Sequence, residues 1–171
     1  MKLHLLMKLL PWCIRDSDSF RCEVIQVRVS PNASYVTFDA VGMYSNINLD
    51  HAMKIMQLWL ETYVPSASES ILPTQAILDA LELCMYHNIM QFVDLYFLQL
   101  IGTAKGASVA VVFANLYFGW CKKELIIPKY QYHLKRIPHY ARFIDDILFI
   151  RIGDIDTIWK ISPKTTTVPE F

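Results

Sequence analysis

Three aspartates sit where a carboxylate needs a reason. Asp145 and Asp146 are adjacent inside the apolar run Phe143-Ile144-Asp145-Asp146-Ile147-Leu148-Phe149-Ile150. Ionised carboxylates crowded together repel and resist desolvation unless a cation compensates them. A divalent metal is the economical compensation, although an Asp-Asp pair serves equally as the solvated tip of a hairpin. Asp39 changes the weighing, because it too closes an apolar run, Tyr35-Val36-Thr37-Phe38. Alone it reads as a helix cap or turn residue. Three carboxylates at strand ends can share hard cations such as Mg²⁺, which favours oxygen ligands and retained waters.

A second group is Gly102-Thr103-Ala104-Lys105-Gly106. Its order fails the phosphate-loop pattern, since Lys105 precedes its glycine and no Ser or Thr follows directly. The glycines would instead admit a substrate or backbone at close range, with Lys105 and the following helix N-terminus supplying positive potential. Read alone, the same loop is a plain connector between a hairpin and a core helix.

These residues need elements to position them, and the pattern alternates strands with helices. Residues 35–38, after the turn-forming Ser30-Pro31-Asn32, predict a buried strand that delivers Asp39 at its end. Asn48 or Asp50 can cap a helix running to about Tyr63 with Ala52, Ile55, Met56 and Trp59 on one face. A second helix is expected from Pro73 to about Tyr86, with Ile77, Leu78, Leu81 and Met85 at helical spacing. Residues 89–100 suit two short strands turning near Asp94. From Ser108 a helix buried on most sides carries Val109, Val112, Phe113, Leu116, Tyr117 and Trp120. Residues 140–152 read as a hairpin with an acidic tip. The strands preceding Asp39 and Asp145 are expected to lie side by side in one sheet, bringing Asp39, Asp145 and Asp146 within shared metal reach. Residues 1–11 read as a short amphipathic helix stopped by Pro11. No pattern is legible from Ser162 to Phe171.

Composition narrows the class. At 171 residues the chain fits one ordinary domain, and 54% hydrophobic against 19% charged residues excludes a disordered linker. Sixteen basic and sixteen acidic residues balance to zero, so no overall basic field points to nucleic acid. Mean hydropathy of +0.28 raises a membrane reading. The longest uncharged run, Gly106 to Cys121, has only 16 residues and contains Ser108 and Asn115, so no span is expected. Cys13, Cys22, Cys84 and Cys121 make no zinc spacing and are expected as buried free thiols of a reducing compartment.

Taken in order, Phe38-Asp39-Ala40-Val41-Gly42-Met43-Tyr44-Ser45-Asn46-Ile47, then Gly102 to Asn115-Leu116, then Arg142 to Ile150 resemble palm motifs A, B and C of reverse transcriptases. The likeness is nearest to Penelope-like retroelements. That family carries an Asp-x-x-x-Leu-Tyr-Thr-Asn-Ile motif, a Gly-Thr-Ala-Met-Gly loop leading to Ala-Asn-Leu, and an Arg-Tyr-Ile-Asp-Asp-Ile motif. The resemblance extends from the Ile14-Arg15-Asp16-Ser17 region to about Ile152. It implies one partial reverse transcriptase domain over 1–171, with motif A at about 35–47, motif B at about 102–120 and motif C at about 140–152. The fold implied is α+β, a palm-like antiparallel sheet packed against helices with fingers and thumb largely missing.

The resemblance also implies roles. Asp39 and Asp145, with Asp146 in support and the Ala40 carbonyl as a further ligand, would hold two Mg²⁺ ions, or Mn²⁺ in their place. Tyr44 would be the aromatic gate beneath the incoming sugar, where its plain reading is a core tyrosine. Lys105 and Gly106 would contact the incoming nucleotide or template base. RNA template, DNA primer and deoxynucleoside triphosphates would be partners of the intact RNA-directed DNA polymerase, and no membrane. Fingers and thumb would pack on this core, whose surfaces toward them are expected to be exposed and apolar. Lys105 stands where the family usually has Met, and Ser108 and Val111 where proline is common. The alternatives are a catalytically inactive relic or partner module of the same fold, and an unrelated Mg²⁺-dependent phosphotransferase using the same three aspartates.

Overall fold

The computed structural model describes residues 2–64 and 72–153. Its contacts divide the chain into two compact units, one of residues 1–11 and 42–126, the other of residues 12–41 and 127–171.

The first unit is mainly helical. Helix α1 (Lys2–Leu6) runs into a short 3-10 turn (Met7–Leu9), and Leu3, Leu6 and Leu10 are buried at helical spacing. Helix α3 (Leu49–Tyr63) starts at Asn48, whose side chain accepts from the His51 N–H at 2.9 Å. Ala52, Ile55, Met56 and Trp59 are buried as the periodicity requires. Helix α4 (Thr74–Tyr86) buries Ile77, Leu78, Leu81 and Met85, with Pro73 at its N-cap. Helix α5 begins at Ala110, two residues later than expected, and runs to Cys121 with eight buried residues. That helix is apolar all round because it is enclosed all round. Its Gly119 admits Leu10, since a Cβ there would lie 2.5 Å from a Leu10 methyl. On the other side His51 of α3 meets the Tyr117 hydroxyl at 3.2 Å and stands edge-on to the Trp120 ring.

Strands β2 (Ile89–Phe92) and β3 (Leu95–Leu98) form a separate hairpin that turns at Val93-Asp94. All eight strand residues are exposed. Met90, Phe92, Leu95 and Phe97 share one face by the pairing register, a wholly apolar surface.

The second unit holds helix α2 (Ser17–Gln26), strand β1 (Ala33–Asp39), helix α6 (Ile127–Leu134), and strands β4 (His139–Phe143) and β5 (Asp146–Ile152). The three strands make one antiparallel sheet in the order β1-β5-β4. This corrects one expectation: the strand preceding Asp145 is β4, and β5 lies between it and β1. The hairpin returns its second arm, not its first, against β1. Helix α2 is absent from the periodicity reading because it buries no residue, and a capping box between Asp16 and Ser19 starts it.

The cysteines correct a second expectation. All four are free thiols, but Cys22 and Cys84 are exposed and Cys13 and Cys121 half-buried, so none is fully enclosed. Among the described residues no helix is long and apolar enough to cross a membrane.

Candidate functional site

The acidic end of the sheet is built by register. Pairing of β1 with β5 runs from Ala33 opposite Ile152 to Asp39 opposite Asp146. One step beyond, the Ala40 N–H donates to the Asp145 carbonyl at 2.9 Å, which carries the ladder into the β4–β5 turn. Asp39 and Asp146 are therefore cross-strand neighbours, and Asp145 is the last residue of the turn. Like charges directly opposite on a sheet destabilise it. The fold bears that cost at the one end where β1 and the turn coincide. Behind them the apolar runs secure the strands, with Phe38 and Phe149 stacked at 5.5 Å between centroids.

The turn itself is strained. Ile144 takes a φ of 55°, left-handed space that a β-branched side chain rarely enters. Such positions cost on the order of 1–3 kcal/mol and persist where the surroundings hold them. Arg142, 5% exposed, supplies the hold. Its Nη1 donates to the Ile144 carbonyl at 2.9 Å, and its Nη2 reaches the Cys13 Sγ at 3.3 Å. Its backbone is fixed as well, donating to the Trp12 carbonyl and accepting from the Ile14 N–H. Sequence reasoning placed Arg142 in motif C without this role; an arginine in an otherwise apolar strand was the available signal.

The donor chemistry here is all oxygen and anionic, which suits a hard divalent cation that keeps part of its water shell. Among the described residues no group of three His, Cys, Asp or Glu side chains is placed to hold a metal ion, which corrects the expectation of shared metal reach: Asp39, Asp145 and Asp146 share one sheet end without forming a ligand cluster. Asp39 and Asp146 are exposed and Asp145 half-buried.

In the first unit, Tyr44 and the glycine loop come together. Tyr44 is 7% exposed in a turn that follows Gly42. The Thr103 N–H donates to the Tyr44 carbonyl at 2.9 Å. Gly102, at a φ of +76°, leaves no room for a side chain, since a Cβ would lie 2.5 Å from that same carbonyl oxygen. From the other end of the loop the Lys105 Nζ stands 5.7 Å from the centroid of the Tyr44 ring. Gly106 is exposed with open space around it. Thr103, 2% exposed, has a hydroxyl with no hydrogen-bond partner among the described residues.

A separate cavity of about 300 Å³ lies against α3, lined by Leu58, Trp59, Thr62, Tyr63, Trp120 and Lys123 among others. The π-helical turn after α5 (Lys122–Ile126) carries Lys123, which donates to the Tyr63 hydroxyl at 3.0 Å and lies over the Trp59 and Tyr63 rings.

No family model matches this chain, and no curated protein does. Solved structures do match. Apo telomerase from Candida tropicalis, truncated from its C-terminal domain, aligns with a TM-score of 0.71 at 12% identity over 93% of this chain and 34% of its own. Telomerase from Candida albicans in complex with a TWJ fragment of telomeric RNA aligns with a TM-score of 0.68 at 14% identity, covering 93% of this chain and 31% of that one. A second apo structure from Candida tropicalis gives 0.68 at 12% identity, again over 93% of this chain. The chain has an α+β, palm-like reverse-transcriptase fold, and it spans about a third of the telomerase chains it matches.

Proposed function

We propose that this chain is the palm core of an RNA-directed DNA polymerase of the Penelope-like kind. Its intact form would add deoxynucleotides to a DNA primer 3′-hydroxyl on an RNA template. The observation that carries the reading is the pairing of Asp39 with Asp146 at the sheet end that also presents Asp145, in a fold shared with telomerases. Asp39, Asp145 and Asp146, with the Ala40 carbonyl, would hold two Mg²⁺ ions, or Mn²⁺. Bound there, the metals would activate the primer hydroxyl and neutralise the pyrophosphate leaving group. Asp39 and Asp145 would be the principal ligands and Asp146 the supporting one. Tyr44 would exclude a 2′-hydroxyl by its bulk, and Lys105 and Gly106 would face the nucleotide.

Positioning accounts for much of the acceleration in such reactions. Fingers that grip the triphosphate and a thumb that holds the duplex belong to the intact polymerase in this reading, and the exposed apolar face of the β2–β3 hairpin is a surface suited to packing against such parts. The 171-residue chain alone should therefore bind Mg²⁺ weakly and carry out no processive synthesis.

Two measurements test the proposal. Mn²⁺ titration followed by electron paramagnetic resonance should reveal weak binding that Asp39→Asn and Asp146→Asn each reduce. Primer extension on poly(rA)/oligo(dT), with the fingers and thumb segments supplied, should depend wholly on Asp39 and Asp145. Nucleotide incorporation indifferent to both substitutions would refute the assignment, and phosphate-ester hydrolysis without primer-template would favour a small-molecule phosphotransferase. A non-catalytic palm module is the second reading, favoured by the absence, among the described residues, of any group of three His, Cys, Asp or Glu placed to hold a metal ion. It wins if no Mn²⁺ binds.

A further inference from the structure

Lys105 is the place where this chain departs from the family's usual motif B loop, and the structure gives that departure a partner. The loop holds Tyr44 from two sides: the backbone at Gly102 and Thr103 closes on its carbonyl, and the Lys105 ammonium stands over its ring. Among the described residues no carboxylate pairs with Lys105, whose side chain is exposed. The ammonium is therefore held mainly by a ring face. An exposed contact of that sort favours its closed state by only roughly 2- to 5-fold. A charge-assisted hydrogen bond to a phosphate is worth about 10- to 150-fold. A polyphosphate, with several anionic oxygens against one ring face, competes with the tyrosine for the Lys105 ammonium.

We propose that Lys105 is a triphosphate-responsive latch on Tyr44: its ammonium rests over the ring when no nucleotide is present and transfers to the phosphates when one binds. This deepens the polymerase reading and rests on it. In the latched state the ring is restrained and the cation is spent on it. In the bound state the same cation neutralises phosphate, and the ring keeps its buried place in the turn. The ligand class is a nucleoside triphosphate, recognised here through its polyphosphate. A Met at this position could contact the ring but could not respond to charge.

The test uses the 171-residue chain with its lysines reductively dimethylated by ¹³C-formaldehyde, which preserves their charge. Lys105 is assigned by the loss of its methyl resonance in Lys105→Arg. Its resonance should be displaced by the Tyr44 ring current and should lose that displacement in Tyr44→Leu. Lys123, over Trp59 and Tyr63, keeps its own displacement if the unit remains folded and so serves as an internal control. Titration with dTTP should return the Lys105 resonance saturably to the ordinary lysine position. Tripolyphosphate should do the same and thymidine should not, which separates phosphate from base as the cause. Lys105→Met should weaken dTTP binding roughly tenfold or more. An undisplaced Lys105 resonance before titration, or one that dTTP and tripolyphosphate both leave in place, overturns the latch whatever primer extension gives. If both ligands move it while no nucleotide incorporation depends on Asp145, the latch stands as an anion-responsive contact and the polymerase reading falls.

Discussion

Replacing Gly102 with alanine tests how tightly the loop grips Tyr44. A Cβ at this position would stand 2.5 Å from the Tyr44 carbonyl oxygen, 2.6 Å from the Ser45 Cα and 2.8 Å from the Ser45 carbonyl carbon. All three are backbone atoms, so no side-chain rotation relieves the clash. Either the turn that carries Tyr44 moves or the loop does, and moving the loop breaks the Thr103 to Tyr44 hydrogen bond. Left-handed backbone costs an alanine about 1–2 kcal/mol relative to glycine. Overpacking of a closed contact adds about 1–3 kcal/mol. The smaller conformational entropy of alanine in the unfolded chain returns about 0.4–1 kcal/mol. The net loss is about 2–4 kcal/mol. At a denaturant slope of about 2 kcal/mol per molar, the urea midpoint falls by about 1–2 M with its slope unchanged. Gly106→Ala is the matched control in the same loop, where a Cβ meets nothing within 4 Å. It should leave the midpoint unchanged or raise it slightly. Equal midpoints for the two variants would refute the close approach and, with it, the account of how Tyr44 is held.

Relief of the strain at Ile144 should be measurable, since asparagine tolerates a φ of 55° better than a β-branched residue. Ile144→Asn should stabilise the chain by about 1 kcal/mol, a thermal midpoint gain of roughly 2–4 °C in differential scanning calorimetry. Thiol labelling at neutral pH should proceed at the exposed Cys22 and Cys84 well before Cys121, whose thiol burial pushes up to about 11; peptide mapping after brief alkylation reads the order. Burial, first of all, raises the phenols of Tyr86, Tyr117 and Tyr140 to about 12. Because the fold favours their protonated forms, that stability is complete below the unfolded value near 10 and is lost as pH rises from about 10 to 12. Urea midpoints across that interval should decline, and Tyr86→Phe, which removes the hydroxyl bonded to Asp50, should flatten part of the decline.

Local pattern made the helices legible and left the sheet order hidden. The stripe Ile77, Leu78, Leu81 and Met85 is buried as its spacing requires, and Asn48 caps α3 through its side chain. Helix α2 has no buried residue, so there was no stripe to find; only the Asp16–Ser19 capping box marked it. The exposed Cys22 and Cys84 break the usual preference of free cysteine for the interior: Cys22 lies on α2, which buries no residue, and Cys84 off the buried stripe of α4. Which arm of the acidic hairpin pairs with β1 is a contact between residues more than a hundred positions apart. Nothing in either segment specifies it, since both arms are apolar enough to serve. The resemblance to reverse transcriptase motifs drew attention to Asp39, Asp145, Asp146 and Tyr44, yet the contacts of Arg142 with the turn and of Lys105 with the Tyr44 ring became visible only in three dimensions.

The two hairpins separate what a turn does from what a site requires. Phe92-Val93-Asp94-Leu95 and Phe143-Ile144-Asp145-Asp146 solve the same local problem in the same way: a two-residue loop, a β-branched residue at positive φ, and an aspartate after it. Val93 has a φ of 56° and Ile144 of 55°. An Asp in such a loop is therefore explained by the turn alone, and Asp94 needs no further account. Asp145 differs by what stands beside it. Its neighbour Asp146 opens a strand whose partner ends in Asp39, and the Ala40 N–H ties that partner to the Asp145 carbonyl. Among the described residues no third strand pairs with β2–β3. The local sequence thus makes a hairpin in both places, and the pairing of β1 with β5 makes one of them a candidate site. The contrast also supplies a control: Leu95→Asp would copy the Asp-Asp sequence without the third strand, and it should add no Mn²⁺ binding to that of the parent chain.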